Sequence, residues 1–138
     1  MGFQFVAGFL LIGSNVAIHF GLTGFFVWRL RPMDLGGQPF APALAILAHL
    51  VVWCVIAHVI EIVIWAVFYD AASVMPDIET ASYFSAVTYA TIGYGDITPP
   101  QNWRLLASME GVTGILMCAW SGGLIFTVVS QMVGGRPK

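Results

Sequence analysis

Three apolar runs, each long enough to cross a lipid bilayer, occupy most of this 138-residue chain and decide what it can fold into. They extend from about Phe3 to Leu30, from about Ala43 to Phe68 and from about Leu105 to Val133. A helix needs roughly 20 residues to span the hydrocarbon core, so each run has length to spare for tilt. Lipid offers the backbone no hydrogen-bond partners, so each run must satisfy its own polar groups as a helix. Charged residues make up only 9% of the chain, where a soluble domain carries about 25%. A formal charge of −2 gives no reason to expect a nucleic-acid partner. Cys54 and Cys118 both lie inside apolar runs and read as buried free thiols. The first run has no basic segment before it and exceeds the apolar core of a signal peptide, so it reads as a retained helix.

Between the second and third runs lies the sequence Thr91-Ile92-Gly93-Tyr94-Gly95-Asp96. Gly93 and Gly95 can take positive φ without steric cost, so the backbone there can aim successive carbonyls to one side. A mostly apolar stretch at 81–90, about right for a half-membrane helix, precedes it, and the loop Ile97-Thr98-Pro99-Pro100 follows. The region is too short and too broken by Gly and Pro to cross alone. It reads as a re-entrant loop, tolerated at membrane depth only beside protein or a water-filled pore. Thr88, three residues before Thr91, completes the pattern Thr-x-x-Thr-(Val/Ile)-Gly-Tyr-Gly-Asp, which resembles the selectivity filter of tetrameric potassium channels. The likeness is greatest to small prokaryotic channels, and the wording Tyr83-Phe84-Ser85-Ala86-Val87-Thr88 is also similar to that of two-pore-domain channels.

That resemblance covers about two-thirds of the chain and implies an all-α membrane protein. The implied layout is an additional N-terminal transmembrane helix (1–30), a cytoplasmic link (31–42), a pore module (43–133) and a short cytoplasmic tail (134–138). Within the pore module it implies an outer helix 43–68, a pore helix 81–90, a filter 91–96 and an inner helix 105–133. One pore loop cannot close a fourfold ring, so a homotetramer in the lipid bilayer is expected. Thr91, Ile92, Gly93, Tyr94 and Gly95 would bind K⁺ as the permeant ion, with no cofactor and no other metal. Thr88, Tyr83, Phe84 and Asp96 would support the filter: Tyr94 turns its ring toward the pore-helix aromatics, and Tyr83 donates a hydrogen bond to Asp96. Val87 stands where some relatives carry a buried acid, so no acid pair is expected to brace the filter from behind. Gly114 matches a hinge glycine, with close helix packing as the competing reading, and Phe126 is a candidate constriction. Two other functions remain in view: a weakly selective cation channel, and a non-conducting subunit that modulates a larger channel.

Charge gives an orientation. Arg29 and Arg31 flank the link and Arg136 and Lys138 end the chain, which puts both in the cytoplasm and the N-terminus outside, in a cell membrane. Asp70, Asp77, Glu79, Asp96 and Glu110 then fall on the outer side, an acidic mouth that would concentrate cations. The second run carries His49, Cys54, His58 and Glu61, of which the last three share one helical face. Ionisable groups in a bilayer are functional candidates. They are read here as an interhelical network with Asn15 and His19, with a proton sensor or a metal site as alternatives. His58 and Glu61 join Gly114 and Phe126 as candidate gating residues. The first helix lacks the repeated Arg of a voltage sensor and could dock a regulatory partner or lipid. Ser14, Ser121 and Ser130 have no catalytic partners at useful spacing, so an enzyme is not expected.

Overall fold

The computed structural model describes residues 2–134, and the expected tail beyond them, with Arg136 and Lys138, lies outside the described residues. Helix α1 spans Gly2–Leu30, α2 Phe40–Ala71, α3 Ile78–Tyr89 and α4 Arg104–Val133, the last entered through a 3₁₀ turn at Gln101–Trp103. Among the described residues there is no strand. The helices Gly2–Leu30, Phe40–Ala71 and Gln101–Val133 are long and apolar enough to cross a membrane. At 1.5 Å per residue each reaches roughly 45 Å, beyond the ~30 Å of hydrocarbon, which calls for tilt or exposed ends.

The short helix α3 starts three residues before the sequence suggested. Asp77 is its N-cap, accepting a hydrogen bond from the Thr80 N–H at 2.7 Å, with Glu79 in the first turn. The cap satisfies a free N–H group, and both acids favour the positive end of the helix dipole. Helix α2 also runs three residues past each expected end; a turn at Ser73, whose φ is 52°, reverses the chain as the Val74 N–H bonds back to the Tyr69 carbonyl.

Helix α1 lies against both α2 and α4. Its buried face carries Leu11, Asn15, His19 and Thr23, spaced four apart and so stacked on one side. Near its start Gly8 lets Met109 and Leu106 of α4 approach, since an added Cβ would sit 2.5 Å from the Met109 Cε. Two apolar clusters hold the bundle. One, around Trp65, Tyr69, Phe84, Leu106 and Met117, surrounds α3. The other, Leu30, Leu35, Leu50, Cys54 and Val128, closes the opposite end. Along the three long helices the buried polar residues His19, Glu61 and Ser121 fall between these clusters. Phe3 meets Trp103 edge-on at 6.3 Å, so the start of α1 lies at the same end as the loop that follows α3.

Candidate functional site

The loop after α3 is built by hydrogen bonds from its own N–H groups. Thr91 N–H bonds to the Thr88 carbonyl at 3.0 Å, and Ile92 and Gly93 both bond to the Val87 carbonyl, at 2.9 and 3.3 Å. These bonds occupy the carbonyls that a helix C-terminus leaves free. The loop's own carbonyls, from Thr91 to Gly95, accept no hydrogen bond among the described residues. Positive φ occurs at Thr91 (58°), Gly93 (61°) and Gly95 (77°), while Ile92 and Tyr94 between them keep negative values. A backbone alternating in hand at each residue turns its peptide planes alike, N–H groups to one side and carbonyls to the other. The positive φ of Thr91 was not legible in the sequence, because a β-branched residue rarely takes it.

At the outer end of the loop the Tyr83 hydroxyl donates to Asp96 Oδ2 at 2.7 Å. That bond favours the ionised carboxylate and holds Asp96 below its ordinary pKa, while the Tyr83 hydroxyl is pushed up. Tyr94 does not pack on the aromatics of α3. Its side chain is 69% exposed, as is much of Ile92, and Phe84 turns instead toward Tyr69, ring centroids 5.3 Å apart. Within a single chain Tyr94 has no neighbour to cover it. Thr88 lies in the same groove as Thr91 and Gly93, a cavity of about 580 Å³ whose other wall is α4.

Behind α3 the structure corrects the reading of the acids. Asp70, Asp77, Glu79 and Asp96 are exposed, but Glu110 is fully buried and is not part of any outer mouth. Its carboxyl accepts from the Tyr69 hydroxyl at 2.8 Å and from Ser85 at 2.5 Å. One acid, supplied by α4 rather than by position 87, therefore stands behind this short helix, and its partners there are hydroxyls, not a second acid. The usable signal was its place within an apolar run, where an acid needs a partner.

A second polar cluster lies at mid-depth. Glu61 Oε1 is 2.9 Å from His19 Nδ1, and Glu61 Oε2 accepts from the Tyr89 hydroxyl in a short hydrogen bond. His58 Nδ1 is 3.1 Å from that same hydroxyl, and the Nε2 atoms of His58 and His19 lie 3.1 and 3.2 Å from Ser121 Oγ. The expected pairing of Glu61 with His19 is present. Asn15 and His58 go elsewhere: the Asn15 amide, with its oxygen turned to the indole, accepts from Trp65 Nε1 at 2.8 Å. Cys54 shares the face of His58 but packs in the lower apolar cluster, and His49 is exposed, 2.7 Å from the Ala45 carbonyl. Ser121 has partners after all, contributed by α1 and α2. It does not become a nucleophile site, because it is buried mid-helix where neighbouring N–H groups are committed to the helix and none can stabilise an oxyanion.

Gly114 is buried where α4 crosses the end of α3, and a Cβ there would run into the Tyr89 carbonyl. Helix α4 continues through this point without a break, so the visible role of Gly114 is close packing. Phe126 is 72% exposed and lines nothing within one chain.

Three membrane-length helices around a re-entrant half-helix, ending in a loop of free carbonyls, define an integral membrane protein of pore-loop architecture. A family model described as an ion channel matches residues 48–131, more than half of the chain, and the protein belongs to that family. No curated protein and no solved structure matches the chain.

Proposed function

We propose that the chain is the subunit of a homotetrameric, potassium-selective channel that conducts K⁺ passively through residues 91–95. The observation that carries this reading is the alternation of positive φ at Thr91, Gly93 and Gly95 in a loop whose carbonyls are unpaired. Four such loops around an axis would replace the hydration shell of a dehydrated cation with rings of carbonyl oxygens, and repulsion between successive ions would aid exit. The bare Ile92 and Tyr94 side chains fit the same assembly, since a neighbouring copy would cover them. The link and C-terminus are assigned to the cytoplasm and the loop to the outer face of the cell membrane, on the strength of Arg29 and Arg31. The outer mouth then holds Asp70, Asp77, Glu79 and Asp96, without Glu110.

The test is reconstitution of the purified chain into lipid vesicles under opposed K⁺ and Na⁺ gradients, with Ba²⁺ as blocker. A reversal potential near the K⁺ equilibrium value, abolished by Ba²⁺, is the expected result. Equal permeation of both ions would replace selectivity with a general cation pore. A verified tetramer that passes no current under any gradient would favour the modulatory subunit instead.

A further inference from the structure

We propose that His19, His58 and Glu61 form a binding site for a divalent transition metal ion of the zinc class, buried where α1 and α2 meet the end of α3. Each residue offers one ligand atom, and all three atoms lie within 4.8 Å of one another. Glu61 Oε1 is 2.9 Å from His19 Nδ1, and Glu61 Oε2 is 3.5 Å from His58 Nδ1. Four ligands held about 2.0–2.2 Å from a tetrahedral ion stand roughly 3.3–3.5 Å apart, so small shifts would seat the metal. The Tyr89 hydroxyl, 3.1 Å from His58 Nδ1, is in place as a fourth ligand.

Proton counting shows why the cluster calls for a cation. It contains five close polar contacts: His19–Glu61, Tyr89–Glu61, His58–Tyr89, His58–Ser121 and His19–Ser121. With Glu61 ionised and both imidazoles neutral, each of His19, His58, Tyr89 and Ser121 supplies a single proton, one fewer than the contacts require. One contact is then lone pair against lone pair, around a carboxylate that is fully buried. No Lys or Arg lies in the described part of α2, α3 or the buried face of α1 to balance it. A burial of that kind needs a counter-charge. A single added proton would close that gap; a dication would close it too, and would take up the lone pairs of Glu61, His19 and His58 that converge there.

The outer partners fit a metal as well. Both imidazoles turn Nε2 to the one oxygen of Ser121, which has two lone pairs and can accept both N–H groups. In that tautomeric arrangement both Nδ1 lone pairs would face Glu61, open to a metal ion. Ligating histidines are typically fixed in this way, by a hydrogen bond from the second ring nitrogen. The His58 side chain is 18% exposed, which gives an ion a way in.

The experiment is zinc binding by the untagged full-length chain in bilayer nanodiscs, read by metal analysis after dialysis and by the absorption spectrum of bound Co²⁺. Neither readout depends on conduction, so failure here leaves the channel reading untouched. The expected result is one Zn²⁺ per chain. His58→Gln should weaken binding by at least the ~10–100-fold that loss of an outer partner costs, and Ser121→Ala by about that amount. His58→Cys, which keeps a ligand, should restore binding and add a thiolate-to-Co²⁺ absorption band, while exposed His49→Gln should change nothing. The proposal is overturned if the wild-type chain holds no more Zn²⁺ than His58→Gln, or if the binding follows His49. In that case the missing cation in the cluster is a proton.

Discussion

Replacing Gly114 by alanine puts the packing of α4 on α3 to a direct test, because Gly111 one turn earlier serves as its control. At Gly114 a Cβ would collide with the Tyr89 carbonyl oxygen and lie only 2.8 Å from the carbonyl carbon and 3.1 Å from the Cα. Ordinary contact begins at about 3.4 Å and the oxygen lies nearest of all, so the two helices must separate by more than ~1 Å or distort. The obstacle is backbone and cannot rotate away. At Gly111 the nearest atom to a new Cβ is the Thr88 oxygen at 3.6 Å, an ordinary contact. Both changes gain the same helix propensity, about 0.8–1.0 kcal/mol over glycine, so that contribution cancels in the comparison. What remains is the overpacking cost, about 1–3 kcal/mol. At roughly 4 °C per kcal/mol for a chain of this size, Gly114→Ala should melt ~4–12 °C below Gly111→Ala. Circular dichroism of both variants in the same detergent reads the difference. A hinge glycine would behave otherwise: its replacement would stiffen the helix and leave stability as high as in the control. Coincident melting of the two variants would therefore refute the packing argument and revive the hinge.

Three further outcomes follow from the same geometry. In Tyr83→Phe, Asp96 loses its donor and its pKa should climb back toward the ordinary carboxylate value. The sign is that of a depressed acid: the contribution is present above the unfolded pKa and lost as pH falls through the folded one, so the variant should lose it at higher pH. Carboxyl NMR titration of Asp96 checks this, and an identical midpoint in both proteins would dismiss the interaction. Tyr69→Phe removes one of the donors to buried Glu110 and should cost about 1–3 kcal/mol of stability, whereas Ser85→Ala also frees the Ile62 carbonyl that Ser85 shares. Equal melting of Tyr69→Phe and wild type would count against that bond. Thr91→Gly should relieve a positive φ at a β-branched residue, worth about 1–3 kcal/mol, while deleting the lowest hydroxyl of the proposed filter. A more stable protein with a reversal potential shifted toward that of Na⁺ is expected, and a less stable one would show that Thr91 is not strained.

The parts of the fold that could be read from the sequence are those fixed by local composition. A long apolar run with a single charged residue has one stable form in lipid, so three helices could be placed to within a few residues. Alternating glycines announce an unusual backbone wherever they sit. What stayed hidden depends on tertiary contact. Glu110 near the start of α4 counts as an outer acid by position, and only the approach of Tyr69 and Ser85 reveals that it faces inward. Tyr89 gave no signal at all, since an aromatic residue at the end of an apolar stretch is unremarkable until Glu61 and His58 are found beside it. The start of α3 was legible and missed: Asp77 three residues before Thr80 has the spacing of an N-cap.

The polar stripe of α1 argues that this helix is part of the pore module's own core. In water Glu61 and Trp65 of α2 could turn to solvent; in hydrocarbon they cannot, and an unpaired polar group there costs several kcal/mol. Their partners are His19 and Asn15, set four residues apart so that each meets its counterpart one turn along α2. Remove α1 and the carboxylate of Glu61 keeps Tyr89 but loses an imidazole, while the Trp65 indole loses its acceptor. Trp53 of α2 would lose one as well, since its Nε1 donates to the Leu22 carbonyl at 2.7 Å. A pore module of two helices and a loop would carry apolar residues at those positions. Their polar character in this chain only makes physical sense with α1 in place, which ties the first helix to the end of α3 and to the loop it supports.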